Sequence, residues 1–122
     1  MPKQPSTNPA RRGDIVLVPF PNSDLRTVKI RPALIVQSDN IDSGLSQVVL
    51  VMISSNLRRM GRKSRYLIEI DTAVGIASGL LVDSVVMTDN VATVLRSRII
   101  RNLGSLHSMI EVDDALRHSL NL

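Results

Sequence analysis

The residues Val48-Val49-Leu50-Val51-Met52-Ile53 form an unbroken apolar run near the middle of the chain. A run this short, rich in β-branched residues and followed at once by Ser54-Ser55-Asn56, is typical of a β-strand. Because no polar residue interrupts the run, both faces of the strand must be buried, which places it inside the core. The sequence therefore predicts a β-fold built around a central strand.

Similar short apolar runs occur on both sides of this central strand. Pro, Gly, Asn, Asp or Ser residues separate them, a pattern that favours strands and turns. The predicted flanking strands are residues 15–18, 33–36, 66–70, 80–82 with 85–87, and 91–94. Asp89-Asn90, between two runs, is predicted to be a turn.

The C-terminal segment changes to a helical period. Ser108 and Glu111 have the spacing of a capping box, and the sequence predicts a helix there. The apolar residues that would form its buried stripe are Met109, Val112, Leu116 and Leu120. Five or six short strands closed by one helix predict a mainly β fold, a small curved β-barrel with a C-terminal helix, because curling protects sheet edges.

Length and composition restrict the chain to one domain and exclude several kinds of chemistry. We expect residues 11–122 to form a single domain and residues 1–10, which contain three prolines, to be a disordered tail. No apolar stretch suits a membrane span or a signal peptide, so we expect a cytoplasmic protein with no membrane partner. The chain has no Cys, and we expect His107 and His118 to be surface residues, with no metal site and no cofactor.

The positive charge lies in the first half of the chain. Residues 1–65 contain eleven basic and four acidic residues, a net charge of +7, whereas residues 66–122 contain four basic and seven acidic residues, a net charge of −3. A basic half of this kind indicates a polyanionic partner, most often nucleic acid. A basic surface that only keeps the protein soluble is an alternative of equal weight.

Two segments carry residues suited to phosphate chemistry. The first is a long predicted loop, residues 19–30, which leads into Arg31; Pro32 holds this arginine extended at the start of a buried strand. Arg31 is a candidate catalytic residue, and pairing with a carboxylate such as Asp14 is the alternative. The second segment is Ser54-Ser55, where the central strand ends.

Five cations follow those two serines within a few residues: Arg58, Arg59, Arg62, Lys63 and Arg65. Hydroxyl groups beside a cluster of cations suit the binding of phosphate groups. The alternative is an ordinary turn followed by a solvated basic loop.

An ordered set of segments that spans nearly everything after Arg11 forms a family pattern. The segments are Gly13-Asp14-Ile15-Val16-Leu17-Val18-Pro19-Phe20-Pro21, Asp24-Leu25, Lys29-Ile30-Arg31-Pro32-Ala33-Leu34-Ile35-Val36, Ile53-Ser54, Ile68-Glu69-Ile70, Gly79-Leu80, Asp83-Ser84-Val85-Val86, Thr93-Val94 and Val112-Asp113-Asp114-Ala115-Leu116. In these segments the chain resembles the MazF/PemK toxins of prokaryotic toxin–antitoxin systems.

The resemblance implies a fold, an activity and partners. The fold is the CcdB/PemK-type plasmid-maintenance-toxin barrel, a small barrel like that of Src-homology-3 domains, and the protein is a homodimer. The activity is metal-independent, sequence-specific cleavage of single-stranded RNA, usually mRNA, which inhibits growth until an acidic antitoxin encoded nearby neutralises the toxin.

The resemblance also assigns the site. The arginine of the Arg-Pro motif falls on Arg31, and the hydroxyl residue that ends the central strand falls on Ser54, so both are expected to be catalytic. With the neighbouring basic loop included, the predicted RNA-binding residues are Phe20, Asn22, Asp24, Lys29, Ser55, Arg58, Arg59, Ser84, Asp89 and Asn90. The best-known members carry Gln in place of Asn90 and Arg in place of Ala92, so their base preference does not carry over.

Such a reaction fits the composition, because RNA supplies its own nucleophile. Attack of the 2′-hydroxyl on the adjacent phosphorus gives a 2′,3′-cyclic phosphate and a free 5′-hydroxyl. The protein needs to orient the backbone and stabilise the phosphorane charge. We assign charge stabilisation to Arg31, with protonation of the leaving oxygen as a second role, and orientation of the phosphate to Ser54.

Two other classes of protein are alternatives to the nuclease. A CcdB-like poison of DNA gyrase shares the barrel and cleaves nothing, but gyrase binding in that group implies a C-terminal Trp-Gly-Ile, and this chain has no Trp. A barrel that only binds nucleic acid would need several aromatic rings for stacking, and the chain has only Phe20 and Tyr66.

Overall fold

A computed structural model describes residues 10–41 and 44–122 of the chain. Its strands and helices, in chain order, are β1 (Asp14–Pro21), β2 (Val28–Ile35), β3 (Gln47–Ser54), β4 (Arg65–Ile68), α1 (Ala73–Ser78), β5 (Ser84–Leu95), β6 (Arg101–Ser105) and α2 (Ile110–Leu120). Short 3₁₀ turns cover Leu57–Arg59 and Arg96–Arg98. The predicted tail at residues 1–10 lies, except for Ala10, outside the described residues.

The six strands form one antiparallel sheet in the order β4-β5-β3-β2-β1-β6. The sheet curls far enough for β1 and β5 to contact each other although two strands separate them. β3 occupies the centre, as its apolar run predicts, and the mainly β fold with a C-terminal helix is confirmed. No helix in the described ranges is long and apolar enough to span a bilayer.

Two apolar cores lie on the two faces of this sheet. The inner core fills the curl and includes Val18, Phe20 and Leu50. The outer core lies between the opposite face and α2, where Val51 and Val86 of the sheet and Val112 of the helix are buried. Because β3 contributes to both cores, its lack of polar residues has a direct structural cause.

The first predicted loop is shorter than expected, because both flanking strands extend into it. β1 continues to Pro21 and β2 begins at Val28, so only residues 22–27 connect them. Phe20 is therefore a strand residue, with a fully buried ring. The prediction that Phe20 binds RNA is wrong on physical grounds, since a ring inside the core offers no face for a base.

The segment after β4 differs from the prediction in three places. Residues 80–82 are not a strand, and the short helix α1 precedes them. β5 runs through Asp89-Asn90, which form part of a bulge, not a turn between strands: Met87 pairs with Met52, while Val91 pairs with Val51. The strand β6 was not predicted at all.

The helix α2 is where the apolar period places it, but its start differs. Met109 is the N-cap and provides no side-chain cap, so the predicted Ser108–Glu111 capping box is wrong. Val112 is buried and Leu116 packs against the outer core, whereas Leu120 is exposed. His107 and His118 are both exposed, as expected.

Candidate active site

Arg31 and Ser54 lie on neighbouring strands at the point where the strands part. The β2–β3 ladder ends at the pair Ala33–Met52. Two residues farther along the same register, Arg31 stands opposite Ser54, and the two-residue period of a strand puts both on the inner face of the sheet. The fold thus places the two predicted catalytic residues across from each other at the open end of the inner core.

Arg31 is half-buried and has no partner for its Nε–H, which is fully removed from solvent. Leaving a buried donor unpaired costs about 1–3 kcal/mol, so proteins rarely keep one without a use for it. The alternative partner, Asp14, instead accepts a hydrogen bond from the backbone N–H of Arg11 at 2.9 Å. The charge of Arg31 is therefore left for an anionic ligand.

Ser54 is nearly buried, and its hydroxyl has a defined hydrogen-bonding direction. Its Oγ accepts a hydrogen bond from the backbone N–H of Asn56 at 3.1 Å. That contact uses a lone pair of the oxygen and leaves the hydroxyl proton available for donation. A phosphate oxygen beside Arg31 is an acceptor that this proton suits.

A cleft of about 440 Å³ opens where β2 and β3 diverge. Three of the residues that line it are cations, namely Lys29, Arg31 and Arg101, and two carry hydroxyls, Ser55 and Ser84. None of its described lining residues is Asp or Glu. We call this site the cationic cleft; its charge favours an anionic ligand.

The wall of the cationic cleft is held in place by two glycines. Gly79 ends α1 in the left-handed region, with φ of 72°, and a Cβ there would lie 1.8 Å from the carbonyl oxygen of Leu103. A Cβ on Gly104 would lie 2.3 Å from the carbonyl oxygen of Ala77. The close backbone approach fixes α1, and with it residues 80–82 of the cleft wall, against β6.

Residues 56–64, which we call the arginine loop, are tied to β5 by hydrogen bonds from Thr88 to the carbonyl of Ser64 and, through Arg65 of β4, by an ion pair. Arg65 donates from Nε and Nη2 to the two carboxylate oxygens of Asp89 at 3.0 and 2.8 Å, and from Nη1 to the backbone carbonyl of Arg59 at 2.7 Å. The hydrogen bond from Arg65 lowers the pKa of Asp89, and the same bond raises the pKa of Arg65.

This pair gives Asp89 a structural role. Both of its oxygens accept bonds from Arg65, so Asp89 helps to hold the arginine loop, and its direct contact with RNA stays a prediction. Within the loop, the Asn56 side chain accepts from the backbone N–H of Arg58. The side chains of Arg58 and Arg62 are exposed.

Arg59 and Asn90 reach the inner core from two directions. Arg59 Nη1 lies 3.7 Å from the sulfur of Met87, and Asn90 Nδ2 lies 3.5 Å from the sulfur of Met52. Thioethers are weak acceptors, so both side chains keep most of their hydrogen-bonding capacity. Met52 is two residues from Ser54 on the same strand, which brings these two predicted RNA-binding residues towards the predicted catalytic pair.

Asn22 and Asp24 shape the turn between β1 and β2. Asp24 Oδ1 accepts from the backbone N–H groups of Arg26 and Thr27 at 2.9 and 3.1 Å, and these bonds lower the pKa of Asp24. Asn22 Nδ2 donates to Thr27 Oγ1 at 2.8 Å. Both predicted RNA-binding residues thus stabilise the turn. Lys29, which follows the turn, is exposed.

The remaining predicted RNA-binding residues differ in accessibility. Ser55 is exposed, while Ser84 is buried and donates its hydroxyl to the carbonyl of Val82 at 2.8 Å. Arg101 was not predicted, because its strand was not recognised; alternation of Arg101 with the apolar residue Leu103 was the only signal for it. Within residues 10–41 and 44–122, no three His, Asp or Glu side chains come together as metal ligands.

Comparison with known families identifies the class of this protein. The sequence profile of the PemK-like, MazF-like toxins of type II toxin–antitoxin systems matches residues 11–120. The match spans nearly the whole chain and contains every residue of the site described above. The chain belongs to this family. A search of curated proteins found no match.

Solved structures share the fold at low sequence identity. An endoribonuclease from mycobacterial species is 21% identical, with a TM-score of 0.69 and 94% of each chain covered. An endoribonuclease in complex with its cognate antitoxin, also mycobacterial, is 19% identical, with a TM-score of 0.71 and 93% of this chain and 96% of that chain covered. MazF from Deinococcus radiodurans is 21% identical, with a TM-score of 0.67 and 94% and 99% covered. These likenesses establish the fold.

Proposed function

We propose that the protein is the toxin of a toxin–antitoxin pair and acts as a metal-independent, sequence-specific endoribonuclease on single-stranded RNA. The observation that carries the proposal is Arg31, a half-buried arginine whose buried Nε has no partner among the described residues, opposite the hydroxyl of Ser54 at the end of the β2–β3 ladder. Membership of the PemK-like, MazF-like family supports it. The substrate in the cell is mRNA, which places the protein in the prokaryotic cytoplasm.

The proposed reaction uses the 2′-hydroxyl of the RNA as nucleophile. The 2′-oxygen loses its proton as it attacks the neighbouring phosphorus, and negative charge builds up on the non-bridging oxygens. The bond from phosphorus to the 5′-oxygen then breaks, and the 5′-oxygen takes up a proton to leave as a hydroxyl. Arg31 stabilises that charge, and Ser54 donates a hydrogen bond that orients the phosphate. A site fixed before the substrate arrives needs little rearrangement in the transition state, which is how it accelerates the step.

The proposed partners are a second copy of the chain and an acidic antitoxin. The outer half of β5 exposes Val91 and Leu95, apolar side chains that a homodimer contact would remove from water. The cationic cleft and the arginine loop attract the acidic segment of an antitoxin as they attract RNA. We therefore propose that the antitoxin inhibits by occupying the RNA-binding surface.

The reaction products and the metal requirement test this function. Purified protein is incubated with labelled single-stranded RNA in the presence of EDTA, and the ends of the fragments are analysed. We expect cleavage with 2′,3′-cyclic phosphate and 5′-hydroxyl ends, because the mechanism needs no metal ion.

Two results would contradict the proposal. Activity that disappears with EDTA and returns with a divalent cation would assign the protein to a metal-dependent class. Intact RNA together with inhibition of DNA gyrase would identify the non-enzymatic alternative. A duplex RNA of the same sequence serves as the control substrate and should remain uncut.

A further inference from the structure

Arg101 lies in the cationic cleft but outside the residues that the family resemblance assigns. It pairs with Leu17 across the β6–β1 ladder, and Leu17 pairs with Pro32 across the β1–β2 ladder. The three residues therefore form one row across three strands. Arg31 precedes Pro32 on β2; strand alternation turns it towards the inner face, but at the open end of the sheet it also lines the cleft.

The row lies on the outer face of the sheet, the face that borders the cleft. Arg101 shares this face with Leu103, two residues along β6, which packs against the outer core. Adjacent strands are about 4.8 Å apart, so the backbone of Arg101 is roughly 10 Å from that of Pro32. At this separation Arg101 serves a different group of the ligand from the one held by Arg31.

The charge of Arg101 is not used inside the protein. Its side chain is exposed, and the four ion pairs among the described residues involve other arginines: Arg11, Arg12, Arg65 and Arg117. No hydrogen bond of the Arg101 side chain occurs in the described structure. With no carboxylate in the cleft lining, an anion is the ligand that this arginine can bind.

The floor of the cleft between these cations is apolar. It is formed by Leu17, Pro32, Ile53, Leu80 and Leu103. A volume of about 440 Å³ is within the usual range of sites for small molecules and cofactors. An apolar floor flanked by cations suits one nucleotide, because a base has an apolar face and its phosphates are anionic.

We propose that Arg101 is a substrate-binding residue of the cationic cleft. It contacts a backbone phosphate next to the phosphate held by Arg31, and the base between the two phosphates lies on the apolar floor. The proposal rests on the proposed function, since the ligand is the single-stranded RNA that the protein cleaves.

A contact to a phosphate that does not react has a defined kinetic signature. It stabilises the bound substrate and the transition state equally, so its loss raises KM and leaves kcat unchanged. Each phosphate contact by a cation also steepens the salt dependence of binding, since it releases a counterion. Removing Arg101 should therefore make binding less sensitive to salt.

The test compares Arg101→Ala with Arg117→Ala in the full-length protein. Arg117 is an exposed arginine on α2 whose side chain pairs, among the described residues, with Asp114 alone, so its loss changes the net charge equally without touching the cleft. We expect Arg101→Ala to raise KM for a single-stranded RNA about 10-fold with kcat unchanged, and to lower the salt slope by about 1. Arg101→Lys keeps the charge and should recover most of the loss.

The outcomes distinguish failure of the role of Arg101 from failure of the proposed nuclease function. Equal KM values and salt slopes for the alanine variants at 101 and 117 would overturn the role of Arg101 and leave the nuclease proposal intact. A fall in kcat at unchanged KM would also overturn it, because that result describes a residue acting only in the transition state. A wild-type protein that neither cleaves nor binds RNA would overturn the proposed function, and the role of Arg101 with it.

Discussion

The two ends of β2 use arginine in opposite ways. Beyond its C-terminal end, Arg12 donates from its backbone N–H to Asp39 at 2.9 Å, from Nε to the carbonyl of Val36 at 3.0 Å, and from its guanidinium to Asp113 of α2. Towards its N-terminal end, Arg31 has a buried donor with no partner among the described residues. The first arginine joins the strand to the terminal helix, whereas no side-chain hydrogen bond or ion pair within the described residues ties the second to the fold.

This difference separates residues that build the molecule from residues that serve a ligand. Folding selects against unpaired buried donors, because each costs free energy that a paired donor does not. Arg31 has such an unpaired donor and borders a cleft lined by no described carboxylate. We therefore infer that its partner is a ligand. We therefore expect opposite effects from replacing the two arginines: loss of cleavage for Arg31 and loss of stability for Arg12.

The largest expected effect is the contrast between the alanine variants of Arg31 and Arg12. Arg31→Ala should lower RNA cleavage by on the order of 10²-fold or more, because it removes charge stabilisation of the phosphorane, and it should leave the stability of the fold intact. Arg12→Ala should keep cleavage but lower the unfolding free energy by about 1–2 kcal/mol, because it removes a partly buried ion pair. Single-turnover cleavage and urea unfolding of both variants measure the two effects.

The opposite pattern would break the comparison. A folded Arg31→Ala protein that cleaves as the wild type does would remove Arg31 from the mechanism. An Arg12→Ala protein of unchanged stability would show that its bonds merely replace equivalent bonds to water.

The next effect concerns the arginine loop, whose exposed cations form no ion pair within the described part of the chain. Replacing Arg58, Arg59 and Arg62 by Gln should weaken RNA binding about 10- to 100-fold and lower its salt slope by up to about 3, because three phosphate contacts are lost. Antitoxin binding should weaken less, because a folded peptide adds apolar contacts to the ion pairs. Titrations of labelled RNA and of a cognate acidic peptide at several salt concentrations measure both.

A matched triple variant controls for net charge. Arg11, Arg98 and Arg117 are exposed arginines that do not line the cationic cleft, and their replacement by Gln changes the charge by the same amount. We expect it to bind RNA nearly as the wild type does. If the two triple variants weaken binding equally, general attraction and not the loop accounts for it. If saturating antitoxin leaves cleavage unchanged, the two ligands use separate surfaces.

The sequence predicts best what local pattern determines. The central strand follows from an apolar run, and the position of α2 follows from its period. Arg31 and Ser54 could be paired in advance only through the family motif, since their register depends on how β2 meets β3. The strand around Phe20 was missed because Pro19 and Pro21 suggest a loop. β6 pairs with β1 only as far as Leu17, so β1 has a free edge beyond it, where a missing N–H is tolerated.

Other features depend on contacts between distant segments. The helix α1 has only six residues, with Gly75 inside it and Gly79 directly after it, which suggests turns; it is held in place by the close approach of Gly79 to β6. Asp89 is 24 residues from Arg65, and no local pattern indicates that the two will pair. The same holds for Arg101, which joins the cationic cleft only because β6 pairs with β1.

The smallest expected effect concerns the Arg65–Asp89 pair. This pair stabilises the fold, although it lies within the proposed RNA-binding surface. The Arg65 side chain is 12% exposed and the Asp89 side chain 41%, so solvent screens the pair. We expect a coupling energy of at most about 1 kcal/mol in a double-mutant cycle of Arg65→Ala and Asp89→Asn. Because Arg65 lowers the pKa of Asp89 in the folded protein, the contribution of the pair to stability is present above the ordinary carboxyl pKa of about 3.9 and is lost as the pH falls through the folded-state value.

Urea unfolding of the four proteins at neutral and at acidic pH measures the coupling, which should vanish at the acidic end. No coupling at neutral pH would show that the arginine loop is held without help from Asp89, by bonds such as that from Arg65 Nη1 to the carbonyl of Arg59. A coupling that persists at acidic pH would show that it does not depend on the charge of Asp89.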